Sequence, residues 1–184
     1  MNDLGQFRAA FDTYRDPLYR FLRRLTGSAD DADELLQETF VTFWRKGDQL
    51  REPSRLRNYL YTIAHRKFLS YHHRRRRRPT PATLDGPGHF ELPDRRVATP
   101  PQDAAREETV VTIRRRLARA LDRLPPPQQE VFVLFRYENY TCREIAEITG
   151  APLKTVESRL AAAVQKIGRS LRSLSHLIEE SGDP

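Results

Sequence analysis

The sequence has a single cysteine, Cys142, among 184 residues. That excludes an internal disulfide framework and any zinc site built on several thiolates, and it fits a reducing compartment. No apolar run approaches the roughly 20 residues that a membrane span requires, and 31% of the residues are charged, so no bilayer-crossing segment is expected. The opening residues MNDLGQFRAAF mix acids and aromatics where a secretory signal needs a basic start and an uninterrupted apolar stretch. A cytoplasmic location is expected. The five histidines, His65, His72, His73, His89 and His176, form no ligand pattern with one another or with a nearby acid, so no metal is assigned. A phosphate-cradling glycine loop and a GxSxG elbow are missing too, and no enzyme activity or cofactor is expected.

What the chain does have is positive charge, and its distribution is uneven. The net charge is +7; residues 1–78 hold 17 basic and 10 acidic groups, residues 79–109 hold 3 and 6, and residues 110–184 hold 12 and 9. Much of the first excess is the unbroken run Arg74 to Arg78. Such a run attracts phosphate through counterion release, which reads no sequence by itself, or it is the solvated end of a helix. Between Pro79 and Ala105 stand six prolines, with Gly86 and Gly88 and few apolar residues. Neither a helix nor a strand persists through that composition. The expected fold class is all-α, with two small helical domains, 1–78 and 107–184, joined by a flexible Pro-rich linker, 79–106.

In the first domain Phe7, Phe11, Tyr14, Leu18, Phe21, Leu22 and Leu25 recur at helical spacing, and Gly27 ends the run. Pro17 inside it predicts a kink or short break. Ser28 is placed to cap a second helix with Asp30, Asp31 and Asp33 in its first turn, where the helix dipole favours acids. Ala32, Leu35, Leu36, Phe40 and Phe43 form its apolar stripe, and the opposite face carries Asp31, Glu34, Gln37, Glu38 and Arg45. An acidic face on a basic domain is no nucleic-acid grip; it is a solvated surface or a dock for a basic protein. After a turn from Lys46 to Ser54, a third helix runs from about Arg55 into the arginine run, with Leu56, Leu60, Ile63 and Ala64 inward. Its expected outer positions, Asn58, Tyr61, Thr62, His65 and Arg66, combine rings, hydrogen-bonding groups and cations. That mixture suits unstacked bases, with the rings as stacking surfaces and the cations along the backbone. The other reading leaves Tyr59 and Tyr61 partly in the core with wet hydroxyls.

In the second domain Leu117, Ala120, Leu121 and Leu124 form a helical stripe that the run Pro125 to Pro127 stops. A proline in the first turn of the next helix is tolerated, and Val131, Phe132, Leu134 and Phe135 are expected on that helix's inner face. Thr141-Cys142-Arg143-Glu144 predicts a capping box, followed by apolar Ile145, Ala146 and Ile148. Gly150 closes this short helix, and Ala151-Pro152 leads into Leu153-Lys154-Thr155-Val156-Glu157-Ser158-Arg159-Leu160. Two short helices joined by a glycine turn, with Val156 and Leu160 inward, form a helix-turn-helix, a unit found in DNA-binding and in purely structural settings. If it binds DNA, Lys154, Glu157, Ser158 and Ala161 are placed to meet base edges, and Arg159 to meet phosphate.

Two stretches together resemble a known family. Asp30-Asp31-Ala32-Asp33-Glu34-Leu35-Leu36-Gln37-Glu38-Thr39-Phe40, then Trp44, then Tyr59-Leu60-Tyr61-Thr62-Ile63-Ala64, is similar to region 2 of extracytoplasmic-function (ECF) sigma factors of the sigma-70 family. Leu121 to Pro125, Thr141 to Ala146 and Thr155 to Leu160 are similar to their region 4. The resemblance implies a transcription-initiation subunit without chemistry of its own that directs core RNA polymerase to promoters. It implies that Asp31, Glu34, Gln37 and Glu38 dock on the clamp helices of the polymerase largest subunit. It further implies that Lys46, Gly47, Asn58, Tyr61, Thr62, His65, Arg66, Arg74 and Arg75 take the minus-ten element, with bases flipped from the stack. Arg143, Pro152, Leu153, Lys154, Thr155, Glu157, Ser158 and Arg159 would then meet the minus-thirty-five element, with region 4 also on the polymerase flap. An anti-sigma factor is the implied inhibitor.

The chain departs from the family pattern at several places. Tyr59 stands where the family usually has Trp, Arg66 where it has Asn, Ser70 where it has Asp; Glu157 replaces a common basic residue and Ala162 an Arg. Weaker electrostatic contact and a different base preference at the minus-thirty-five element are expected. The competing reading is an autonomous helix-turn-helix regulator, which requires a self-complementary dimer spacing two half-sites. No stretch looks like a dimerisation helix beyond the short stripe Leu171, Leu174, Leu177 and Ile178, which is expected instead to cap the domain.

Overall fold

A computed structural model of the chain describes residues 4–46, 52–77 and 104–172. Among these the architecture is all-helical: α1 (Leu4–Thr26), α2 (Ala29–Lys46), a 3-10 turn (Pro53–Arg55), α3 (Leu56–Arg77), α4 (Ala104–Asp122), α5 (Pro126–Arg136), α6 (Cys142–Thr149) and α7 (Leu153–Arg172). Gly47, residues 79–103 of the linker expected over 79–106, and Leu174, Leu177 and Ile178 lie outside the described residues. Helix α4 begins at Ala104, inside the stretch expected to be linker.

The first three helices pack pairwise. Leu18, Phe21, Leu22 and Leu25 of α1 are buried with Ala32, Leu35, Leu36, Phe40 and Phe43 of α2, as their spacing requires, and with Leu60, Ile63 and Ala64 of α3. At the open end of the bundle Phe7 stacks on Phe43 at 6.0 Å and meets Trp44 edge-on at 5.0 Å. The break expected at Pro17 does not occur, and α1 runs through it as one helix. Packing of the residues just beyond it, with Leu18, Phe21 and Leu22 fully buried, offsets the missing backbone hydrogen bond. Gly27 ends α1 in the left-handed region, at φ 72°, where a side chain is unfavourable. The Ser28 hydroxyl then accepts from the Asp31 amide at 3.2 Å, capping α2 as expected.

Around the long α7 pack α4, α5 and α6. Leu121, Leu124, Val131, Leu134, Ile145, Ile148, Val156, Ala163 and Ile167 supply the buried surface. Pro125 precedes α5, and Pro126 and Pro127 occupy its first turn, where their missing N–H groups have no intrahelical partner to lose. The face of α5 differs from expectation. Val133 is fully buried and Phe135 is 44% exposed. The cause is a second neighbour: α5 also packs on α1, so polar Glu130 takes an inward position and the helix turns Phe135 outward.

The two helical units contact each other directly, α1 against α5 and α3 against α6, and their buried residues form one continuous cluster.

The predicted capping box at α6 is present. The Glu144 amide donates to Thr141 Oγ1 at 3.3 Å, and the Thr141 amide and hydroxyl donate to Glu144 Oε2 at 2.8 and 2.7 Å. These donors favour the ionised carboxylate and hold the Glu144 pKa below its ordinary value. A depressed carboxylate contributes stability above its unfolded pKa and loses it as pH falls through the folded one. Thr141→Ala is therefore expected to cost about 1 kcal/mol in denaturant unfolding at neutral pH. The difference from wild type should shrink as the solution is acidified through the carboxylate range; a gap independent of pH would show that the carboxylate takes no part.

Candidate functional site

The acidic face of α2 is divided. Glu34 and Gln37 are exposed. Asp31 and Glu38 instead reach toward α3: the Tyr71 hydroxyl donates to Asp31 Oδ2 at 2.8 Å, Arg75 lies 3.8 Å from the same oxygen, and Lys67 pairs with Glu38 at 2.9 Å. The Lys67–Glu38 pair is about two-thirds covered, whereas Asp31 is half-buried beside an exposed Arg75, and both carboxylates are partly neutralised within the chain. Residues expected to act as one surface therefore have two roles, tying α2 to α3 and facing outward.

On α3 the expected outer group also separates into two rows. Asn58, Thr62 and Arg66 repeat every fourth residue; the first two are half-buried and Arg66 is exposed. The Thr62 hydroxyl donates to the Asn58 carbonyl at 2.8 Å, a bond within the helix. Tyr61 and His65, expected to point outward, are buried. The correction has a simple cause. With Arg57 they form a row displaced by one residue, about 100° around the helix, and the C-terminal unit covers that row. Lys46, Arg74 and Arg75 remain exposed, and the Tyr59 hydroxyl reaches the Lys46 carbonyl at 3.4 Å, joining the start of α3 to the end of α2.

The covering contact is polar at its centre. Beyond α5 the backbone turns sharply, with Asn139 in the left-handed region at φ 56°, a conformation Asn tolerates. This turn aims Glu138 inward. Its carboxylate accepts from Arg24 of α1 at 3.2 Å and from the Tyr61 hydroxyl at 2.5 Å, and the Arg57 guanidinium donates to its backbone carbonyl. Arg57 lies 4.2 Å over the Tyr140 ring, and Tyr140 meets Tyr61 edge-on at 5.2 Å. Beside this, His65 Nδ1 and Glu130 Oε1 are 2.6 Å apart, both buried.

Burial pushes the Glu138 carboxyl above its ordinary range, against the pull of Tyr61, Arg24 and Arg57. Burial likewise lowers the Arg24 guanidinium, although Glu138 opposes it. The Tyr61 and Tyr140 phenols are raised by the same loss of water and stay protonated. Both ions lose hydration, so the pair adds little net stability, but leaving either ion without its partner costs about 3–5 kcal/mol. Its effect is to fix how the units fit. The contact is not fully satisfied: among the described residues the Tyr140 hydroxyl and Arg24 Nε have no hydrogen-bond partner.

The helix-turn-helix faces solvent at its expected reading positions. Gly150 ends α6 at φ 66°, and the Pro152 carbonyl accepts from the Thr155 and Val156 amides at 2.8 and 3.1 Å, starting α7. Val156 is fully buried, which turns Lys154, Glu157 and Ser158 outward; these are exposed, as are Arg143, Pro152 and Ala161. Leu153, Thr155 and Arg159 are half-buried.

Sequence reasoning missed Arg24, Arg57, Glu130, Glu138 and Tyr140. Periodicity assigns the charged helical residues Arg24, Arg57 and Glu130 to the outside, and Glu138 and Tyr140 lie in the turn after α5, which has no period; all face another unit far along the chain, with Arg24 and Glu138 114 residues apart. Among the described residues no group of three or more His, Cys, Asp or Glu side chains is arranged to hold a metal ion, and no helix is long and apolar enough to cross a membrane.

Comparison with known proteins adds family information. Residues 10–78 match the model of Sigma-70 region 2, and residues 114–167 match that of Sigma-70, region 4. The ECF RNA polymerase sigma factor SigG of Mycobacterium tuberculosis is 32% identical over 173 residues, covering 86% of this chain and 47% of SigG. The chain thus spans about half the length of that relative. The ECF RNA polymerase sigma factor SigL of the same species is 28% identical over 168 residues, covering 91% of this chain and 89% of SigL. Among solved structures, the sigma factor RpoE in complex with the anti-sigma factor NepR from Bartonella quintana superposes with a TM-score of 0.69 at 21% identity, covering 92% of this chain and 98% of that one. CnrH, in complex with the cytosolic domain of CnrY, gives 0.63 at 23% identity, covering 95% and 92%.

Proposed function

Because this chain belongs to the ECF group of the sigma-70 family, we propose that it binds core RNA polymerase and directs it to specific promoters. The observation that carries this reading is the presence of both family regions in one chain, in order, each with an exposed polar face. The chain supplies no chemistry of its own. Its first domain, 1–78, docks on polymerase and takes the minus-ten element; 79–106 is the linker; 107–184 carries the minus-thirty-five reader. It works in the cytoplasm, where its DNA is.

In the docking role Glu34 and Gln37 make the direct contacts with the clamp helices, while Asp31 and Glu38, already held by α3, set the shape of that face. Asn58, Thr62 and Arg66, with Lys46, Gly47, Arg74 and Arg75, receive the melted strand. Tyr61 and His65 join them once the C-terminal unit moves away. Lys154, Glu157 and Ser158 read the major groove, with Arg143 and Arg159 on phosphate and Pro152, Leu153 and Thr155 placing the helix. The autonomous-regulator reading is less well supported, because it leaves the whole region 2 match without a role. An anti-sigma factor is the proposed inhibitor, the kind of partner that RpoE has in its solved complex.

Run-off transcription with purified core polymerase tests the central claim: initiation depends on this chain. Glu34→Lys with Gln37→Lys should weaken polymerase binding by about tenfold or more, and Glu38→Gln by less, because its charge is already paired. Equal binding by all of them removes the assigned docking face. Glu157→Ala should change preference at one promoter position by about 1–3 kcal/mol; uniform tightening on every sequence would reduce Glu157 to repulsion from phosphate. Constitutive activity of the free chain in its native cells, with no co-purifying inhibitor, counts against the anti-sigma factor.

A further inference from the structure

We propose that Glu130 and Glu138 form an acidic latch holding the C-terminal unit over a stripe of Arg24, Arg57, Tyr61 and His65, and that a single nucleic-acid strand competes for the same stripe. The competing-strand clause rests on the function proposed above; the latch itself rests on geometry alone.

The stripe has the composition a strand requires. Arg57, Tyr61 and His65 repeat every fourth residue along α3, and Arg24 stands beside them on α1. It presents two guanidinium groups, an imidazole and a phenol ring, a cationic and stacking surface in one row. In the closed state every element of that surface is occupied. Anionic oxygens sit on Arg24, on the Tyr61 hydroxyl and beside His65. A ring, Tyr140, lies under Arg57 and against Tyr61. Carboxylates thus take the places of phosphate and Tyr140 takes that of a base. The same donors and ring faces serve one occupant at a time, so the C-terminal unit and the strand exclude each other.

Arg24 and Arg57 thereby become strand-contacting residues alongside Tyr61 and His65. The neighbouring row of half-buried Asn58 and Thr62 with exposed Arg66 is outside the latch, as are the exposed reading positions Lys154, Glu157 and Ser158. The closed chain therefore hides one row of the first nucleic-acid surface and leaves the second surface open.

The test uses the full chain without polymerase. Small-angle X-ray scattering reports how far apart the units are. Fluorescence anisotropy with a labelled, mixed-sequence single-stranded oligodeoxynucleotide reports occupancy of the stripe. The double variant E130Q/E138Q, which keeps side-chain size and removes charge, should show a larger radius of gyration and bind the oligonucleotide about tenfold tighter than wild type. Adding R57A to it should abolish most of that gain. A double variant as compact as wild type overturns the latch. Expansion without tighter binding, or a gain insensitive to R57A, overturns the competing strand. If E138Q lowers helicity by circular dichroism, E130Q alone, which leaves the turn at Asn139 intact, provides the comparison, with a smaller gain expected and no gain counting against the proposal. Run-off transcription by the wild-type chain separates the two levels: failure there removes the sigma-factor reading whatever the scattering shows, and success leaves the latch to be judged by these assays.

Discussion

A buried carboxylate is what the relation between the two halves depends on. Glu138 is removed from water, and the structure compensates it with the Arg24 guanidinium, the Tyr61 hydroxyl and, through its own carbonyl, Arg57. These partners lie on α1 and α3, so satisfying one side chain fixes the C-terminal unit against two elements at once. Apolar burial is tolerant of small shifts, because methyl groups pack in many arrangements. A carboxylate with assigned donors is not. The interface consequently has a defined geometry although its ion pair contributes little net energy.

The same reasoning explains what was readable from the sequence. The stripes of α1, α2 and α4 emerged because apolar residues at helical spacing have one way to be buried. The caps at Ser28 and Thr141 emerged because their donors and acceptors lie within three residues of each other. The helix-turn-helix emerged because Gly150 and the Thr141 box mark both ends of α6. What stayed hidden was everything decided by distant neighbours. Phe135 looked internal until α5 proved to have a second side to cover. Tyr61 and His65 looked external because the residues that bury them are 77 and 65 positions further on. Pro17 looked like a break, and burial on either side of it overrode the local preference.

The acidic face of α2 shows how charge can have two uses on one helix. Asp31 and Glu38 are spent on Tyr71, Arg75 and Lys67 of α3, which keeps the two helices in register. Glu34 and Gln37 keep their polar groups turned to solvent. A sequence pattern treats all four alike, whereas the hydrogen bonds separate the two that tie the helices together from the two that face solvent.

Helix α3 carries both rows, Asn58 with Thr62 and Arg66, and Arg57 with Tyr61 and His65, on one continuous rod of 22 residues. Withdrawing the lid formed by α5, α6 and their turn exposes the second row without any change in the first. Under the proposed latch, access to the second row is a matter of separating prefolded helices rather than of melting one, so the fold of α3 need not change for its binding surface to change.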